Sequence, residues 1–275
     1  MELKIEKQYR VLLGEGKRVN IMLVGAGGTG SALALSLGRL AYHARSKGMQ
    51  VDMTFVDHDL IEAKNVGRQC FCSAEIGCNK AECLALRLNM SFGLDIVAVP
   101  EPFTPAIARS WASSRSSLFL LIGAVDNHLA RRELAKAVAE GRGRIWALDI
   151  GNAQYNGQVM IGNMADLKRI EFSELGLCSG LPSPYVQEPG LLEPEVEQAA
   201  LSCADLALRE EQSLMVNQAA AAIAAQYCHQ FVVRRELREF ATYFNLQPPA
   251  AVSKSITEAH IASFANNLHW GRAGR

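Results

Sequence analysis

Positions 57–69, in the stretch VDHDLIEAKNVGRQ, hold two aspartates (Asp57, Asp59), two amides (Asn65, Gln69) and a guanidinium (Arg68). A solvent loop is polar too, but it has no use for this assortment. The planar fork of an arginine grips two phosphate oxygens at once. A carboxylate closing a strand, as Asp57 does after VDMTF, is where ribose hydroxyls are commonly held. Upstream, Gly25, Gly27 and Gly30 spell GxGxxG, with Gly28 a further glycine inside it, between the apolar run VNIMLV and a helical pattern. Such a turn lets backbone approach phosphates and aims the amides of a helix N-terminus at them. Lys80 opens a later helix and offers a second, mobile cation. Asp126, in GAVDN, closes another apolar run, where a carboxylate can hold magnesium.

The glycine turn and Asp57 fit NAD as well as ATP. A pyrophosphate carries few charges and a helix dipole suffices for it. A triphosphate needs cations and a metal before a nucleophile can approach. Taken singly, Arg68, Lys80 and Asp126 read as solvated charges or helix caps. Together they converge from separate loops and favour ATP. A NAD-dependent oxidoreductase leaves Arg68, Gln69, Lys80 and Asp126 without work and stands as the alternative.

The elements that must position these groups alternate up to about residue 165. VNIMLV, VDMTFV, DIVAV, SLFLLIGAV and RIWALDI read as buried strands. Helical patterns lie between them, and NGQVMIG adds a strand of antiparallel type. The expected fold is a Rossmann-like, doubly wound, mostly parallel sheet with ligands beyond the carboxyl ends of its strands. LGLCSGLPSPYVQEPGLLEPEVE is a flexible crossover, followed by a helix over about 210–238 and a late strand ATYFNLQ.

GAGGTGS, VDHDLIEAKNVGRQ, IGCNKAECLALRLN and AVDNHLARRELA, in this order, resemble the ThiF/MoeB family, whose adenylating domain is shared with ubiquitin-activating enzymes. The later layout is similar to the ThiF-like members of the plasmid-borne PRTRC system. The resemblance implies a Mg-ATP-dependent adenylation of the C-terminal carboxylate of a small β-grasp protein, ubiquitin-like or sulfur-carrying, with a downstream conjugating enzyme in some pathways. It places Asp57 and Asp59 at the nucleotide, Asn65, Arg68 and Gln69 along the phosphates and Lys80 on the α-phosphate. Asp126 then takes magnesium and Asn127 supports it. It also implies a homodimer in which an N-terminal arginine, here Arg10, reaches the partner's ATP. Under it, residues 1–163 are the ATP-binding core, 164–202 the crossover, and 203–275 a helix and late strands completing the same domain. The same fold used on a small molecule, a peptide or tRNA is a further alternative.

Cysteines bear on the fate of the adenylated product. Cys203 precedes a helix, a placement that lowers a thiol pKa, and resembles the thioester-forming cysteine of activating enzymes; Cys178 is the second choice. No CxxC occurs among the seven cysteines, so no zinc is expected; of Cys70, Cys72, Cys78 and Cys83, two should be buried as small hydrophobes. Equal numbers of acidic and basic residues, 28 each, give no reason to expect nucleic acid. The opening residues lack a signal-peptide core and the Ala-rich run is too short for a membrane, so a cytoplasmic protein with reduced thiols is expected.

Overall fold

The computed structural model describes residues 6–112, 117–194 and 214–267. The chain runs β1 (Val11–Leu12), β2 (Arg18–Val24), α1 (Gly28–Ser46), β3 (Gln50–Val56), α2 (Lys80–Phe92), β4 (Val97–Val99), α3 (Pro105–Ala112), β5 (Ser117–Gly123), α4 (His128–Gly141) and β6 (Ile145–Asn152). It continues through β7 (Asn156–Gly162), α5 (Pro184–Gln187), α6 (Leu214–His229), β8 (Glu236–Leu237), β9 (Glu239–Leu246), β10 (Pro249–Ser255) and α7 (Glu258–Asn267).

Every residue of β2 after Arg18 is buried, because β3 and β5 flank it in parallel and helices cover both faces. The main sheet has eight strands in the order β10-β9-β7-β6-β5-β2-β3-β4. The segment from β6 to β4 is parallel, and β7, β9 and β10 extend it antiparallel. Alternate side chains divide the core. Ile21, Leu23 and Phe55 meet α1, α2 and α6, whereas Met22, Val24 and Leu121 meet α3 and α4. Truncating the fully buried Phe55 to alanine should cost about 3–5 kcal/mol.

β3, β2 and β5 end level, at Val56, Val24 and Gly123; β6 continues past Asp149, the register partner of Gly123, to Asn152. From β2 the chain turns to β3 on one side and later to β5 on the other. That divergence opens a crevice at their carboxyl ends.

Three expectations need correction. The late helix does not reach residue 238: α6 ends at His229, a wider turn covers Gln230–Arg234, and Arg235 adopts φ 58 before β8 pairs with β1. The crossover is pinned rather than flexible where described, since Leu181 accepts from Asn163 and Met164 amides and the Cys178 amide donates to Arg10 O. Cys70, Cys72 and Cys78 are exposed and Cys83 half-buried, so none of the four is a fully buried hydrophobe. Cys70, Cys72 and Cys78 sit on the connection leading into α2, and Cys83 lies within α2, partly packed against the core. The Ala-rich α6 instead lies on α1, its small Ala220 and Ala224 buried there. Among the described residues, no helix is long and apolar enough to cross a membrane.

Candidate functional site

The crevice is built by the loops that follow β2, β3 and β5. Gly25 leaves β2 at φ 90, and a Cβ there would stand 2.5 Å from Ala124 O. One on Gly30 would stand 1.9 Å from Gly25 O. The turn therefore tolerates no side chain at either position. Gly27 forms the N-cap of α1, so its amides and those after it face the crevice with the positive end of the helix. Gly25, Gly27 and Gly28 line the cavity, whereas Gly30 packs beneath the turn.

Asp57 is a structural brace as well as a wall residue. Its Oδ2 accepts from the Ala26 amide at 2.6 Å and its Oδ1 from the Asp59 amide at 2.8 Å. Asn79 caps α2 by accepting from Glu82, and its amide group donates to Asp57 O and Asp59 O. That clasp fixes Lys80, whose Nζ is 2.8 Å from Asp59 Oδ2. Lys80 is thus a held cation with an 8% exposed side chain, not the mobile one expected, and its charge holds the Asp59 carboxyl below its usual range.

Ser31 ties the second loop to the first by accepting the Cys70 amide at 3.1 Å. This brings Arg68 and Gln69 to the cavity beside Gly27. Gln69 Oε1 is buried and makes no hydrogen bond among the described residues. Asn65 is different. It is buried, accepts the Glu62 amide and receives the Gln69 amide on its carbonyl, so it shapes the loop without lining the cavity.

Asp126 stands exposed at the rim after β5, and Asn127 caps α4 by accepting the Ala130 amide at 2.8 Å. The Asp126 Oδ1 accepts the Asn127 side-chain amide at 3.4 Å. A single exposed carboxylate beside the glycine turn fits magnesium, which keeps waters and takes only one or two carboxylates from protein. Asp57, His58 and Asp59 also bring one ligand atom each within 4.8 Å of one another on the same wall.

Other expected residues lie elsewhere. Arg10 is in an extended segment, not a helix, pairs with Glu236 at 3.5 Å and does not line the cavity. Cys203 falls outside the described residues. Cys178 is buried with its Sγ on Gly180 O, and burial pushes the thiol up, so it presents no thiolate.

The cavity also draws residues that no motif indicated. Asn217 of α6 accepts Thr29 Oγ1 at 2.9 Å and Asn152 Nδ2 at 2.7 Å, and packs against Gly28. Arg131 of α4 forms part of the wall, with the buried Asp149 behind it. The sequence does carry a weak signal for Asp149, a lone carboxylate inside the apolar run RIWALDI.

The whole cavity is open, with a volume of about 780 Å³. A glycine turn at a helix N-terminus, a strand-end carboxylate and cations from two further loops define a nucleotide-binding, doubly wound α/β protein. The ThiF family model matches residues 13–249, and the chain belongs to the ThiF family. No curated protein matches it significantly. Among solved structures it is similar to E. coli MccB with ATP, at 14% identity and TM-score 0.57 over 88% of this chain and 65% of that one. It is similar to MccB in complex with N-formylated MccA, at 14% identity and TM-score 0.57 over 88% and 66%. It is similar also to PaaA, at 14% identity and TM-score 0.55 over 88% of this chain and 65% of that one. The chain thus spans 65–66% of the length of these structures, and the likeness is one of fold.

Proposed function

We propose that the protein is an ATP-dependent adenylating enzyme acting on the terminal carboxylate of a polypeptide. The observation that carries this reading is the convergence of Arg68, Gln69 and Lys80 on one wall of the glycine-turn cavity, more positive charge than a dinucleotide needs. Family membership and the ATP-bound structure of E. coli MccB support it.

In this mechanism the triphosphate lies over Gly25, Gly27 and Gly28, with the ribose toward Asp57. Arg68 grips phosphate oxygens, Gln69 supplies an amide and Lys80 faces the α-phosphate. The substrate carboxylate attacks the α-phosphorus, a C–O–P bond forms, the bond to the β-phosphate oxygen breaks, and pyrophosphate leaves with the electron pair. The carboxylate is already ionised at neutral pH, so no general base is required. Positioning and charge neutralisation do the chemistry. Asp126, with Asn127 beside it, would hold magnesium, which supplies charge neutralisation at the phosphates.

The finer reading is that the polypeptide is a ubiquitin-like or sulfur-carrier protein, activated in the cytoplasm by a homodimer in which Arg10 serves the partner's site. A thioester on Cys203 and hand-off to a conjugating enzyme would come after. MccB solved with N-formylated MccA favours a second polypeptide class, a short peptide in place of a folded carrier. Calorimetric titration with Mg-ATP and, separately, NAD tests the core of the reading. Mg-ATP should bind and NAD should not, and Arg68→Ala should weaken Mg-ATP by about 1.5–3 kcal/mol. Binding of NAD alone overturns it.

A further inference from the structure

Arg131, Asp149 and Tyr185 form a polar cluster on the α4–β6 wall that nucleotide binding leaves without a task. Asp149 is wholly buried, and the partners its carboxylate faces are the Arg131 guanidinium and the Tyr185 hydroxyl. Arg131 Nε lies 3.5 Å from Asp149 Oδ1, an ion-pair distance longer than a well-made hydrogen bond. The buried Tyr185 hydroxyl faces the same gap: a Cβ on Gly123 would lie 3.3 Å from Asp149 Oδ2 and 3.6 Å from Tyr185 Oη. An ion pair taken out of water and drawn out to this length does not stabilise a fold. It calls for another explanation.

That explanation lies on the cavity side of the guanidinium. Arg131 lines the cavity with its side chain only 12% exposed, and its Nη2 stands 3.7 Å from where a Cβ on Gly151 would be. The Nε edge of the fork faces buried Asp149, and the residue itself is part of the cavity wall. The other cations of this wall are committed: Arg132 donates to Leu192 O, and Lys136 pairs with Glu133 at 2.6 Å. The wall also lies across β2 and β5 from Asp57, on the far side of the glycine turn from the ribose position. A second substrate must approach the α-phosphate from there.

We propose that Arg131 binds the substrate carboxylate before its adenylation, and that Asp149 is a positioning residue that aims Arg131 at it. This rests on the adenylating reading above. The substrate is then an anion whose charge is lost when its oxygen bonds to phosphorus and pyrophosphate leaves, so the mixed anhydride formed loses its ionic hold on Arg131.

The test uses diglycine, with a free carboxylate, and diglycinamide, without one, titrated into the intact protein loaded with a non-hydrolysable Mg-ATP analogue. The Arg131 Nε–H resonance is followed by ¹⁵N NMR, assigned by its loss in Arg131→Lys. Diglycine should shift it saturably, diglycinamide should not, and Asp149→Asn should weaken the diglycine response roughly tenfold or more, the scale of one charge-assisted hydrogen bond. No shift up to the solubility limit, or equal shifts with both probes, overturns the carboxylate site. An undiminished diglycine response in Asp149→Asn overturns the positioning role. Analogue binding by calorimetry on the same sample separates these outcomes from a failure of the adenylating reading, which would appear as no nucleotide binding at all.

Discussion

Two carboxylate–cation pairs stand on opposite sides of the β2–β5 crevice, and they are made in opposite ways. Asp59 and Lys80 meet at 2.8 Å, the carboxylate is half exposed, and the lysine holds the acid below its usual range. Asp149 and Arg131 stand 3.5 Å apart, the carboxylate is wholly buried, and burial pushes its pKa up to about 6 against the pull of the arginine. The first pair comes from adjoining loops locked by Asn79, so both partners are satisfied before any ligand arrives. The second spans α4 and β6, is drawn out to 3.5 Å, and shares its buried carboxylate with the Tyr185 hydroxyl. A short pair fixes a charge in place. A long one leaves its cation able to take a ligand. The cavity uses the first on its nucleotide side and the second on the side assigned to the co-substrate.

The largest effect should come from removing the fixed charge. Lys80→Ala should slow ATP–pyrophosphate exchange by about 10²–10³-fold, the scale for one preorganised donor to developing charge. Circular dichroism should show that α2 still forms, because its cap is Asn79 and not Lys80. An exchange rate within a few-fold of the parent would place the α-phosphate elsewhere.

Next in size is a pH effect peculiar to Asp149. Its folded pKa lies above the ordinary carboxylate value, so the unfolded chain loses this proton first as pH rises. Stability therefore falls between about pH 4 and pH 6, and the difference between the two pKa values corresponds to about 3 kcal/mol. Asp149→Asn has no such proton. Urea denaturation should show its stability, relative to the parent, improving by about that amount from pH 4 to pH 7. Parallel profiles would mean that Asp149 is solvated, and the contrast between the two pairs would dissolve.

This contrast also marks what the sequence could reveal. Gly25, Asp57, Arg68, Gln69 and Lys80 were legible because each is placed by a strand, a turn or a helix start within a few residues of it. The parallel sheet was legible for the same reason, through apolar runs such as VNIMLV. Asn65 shows the limit of residue type: its side-chain oxygen closes a turn and it lies outside the cavity lining. Asn217 meets Thr29 across 188 positions, and Tyr185 meets Asp149 only because the crossover folds back over β5. No local pattern encodes such meetings. The wider turn after α6 escaped too, since the helical composition continues through FVVRRELR. What ends the helix is the pairing of Glu236 and Leu237 with β1, more than 200 residues earlier.

One of these long-range meetings can be cut singly. Asn217→Ala removes the acceptor of Thr29 and Asn152 and should cost about 1–2 kcal/mol in chemical denaturation. It should also weaken Mg-ATP, because Gly28 loses the side chain it rests on. Unchanged nucleotide affinity would make α6 a support for the core alone.

The smallest effect should come from Asp59→Asn, and its sign is informative. Because the folded carboxyl is held below its usual range, the pair contributes stability above that range and loses it as pH falls through the lowered pKa. The parent should therefore exceed the variant near neutrality, by under about 1 kcal/mol since the carboxylate is half exposed and screened, and the gap should close in acid. Affinity carries the sharper distinction. Asp59 competes with phosphate for Lys80, so its neutralisation should leave Mg-ATP binding intact or slightly tighter in calorimetry. A tenfold loss would instead make Asp59 a ligand of the magnesium, drawing Asp57 and His58 into the metal site and moving that role from Asp126 to the wall where these three groups already converge.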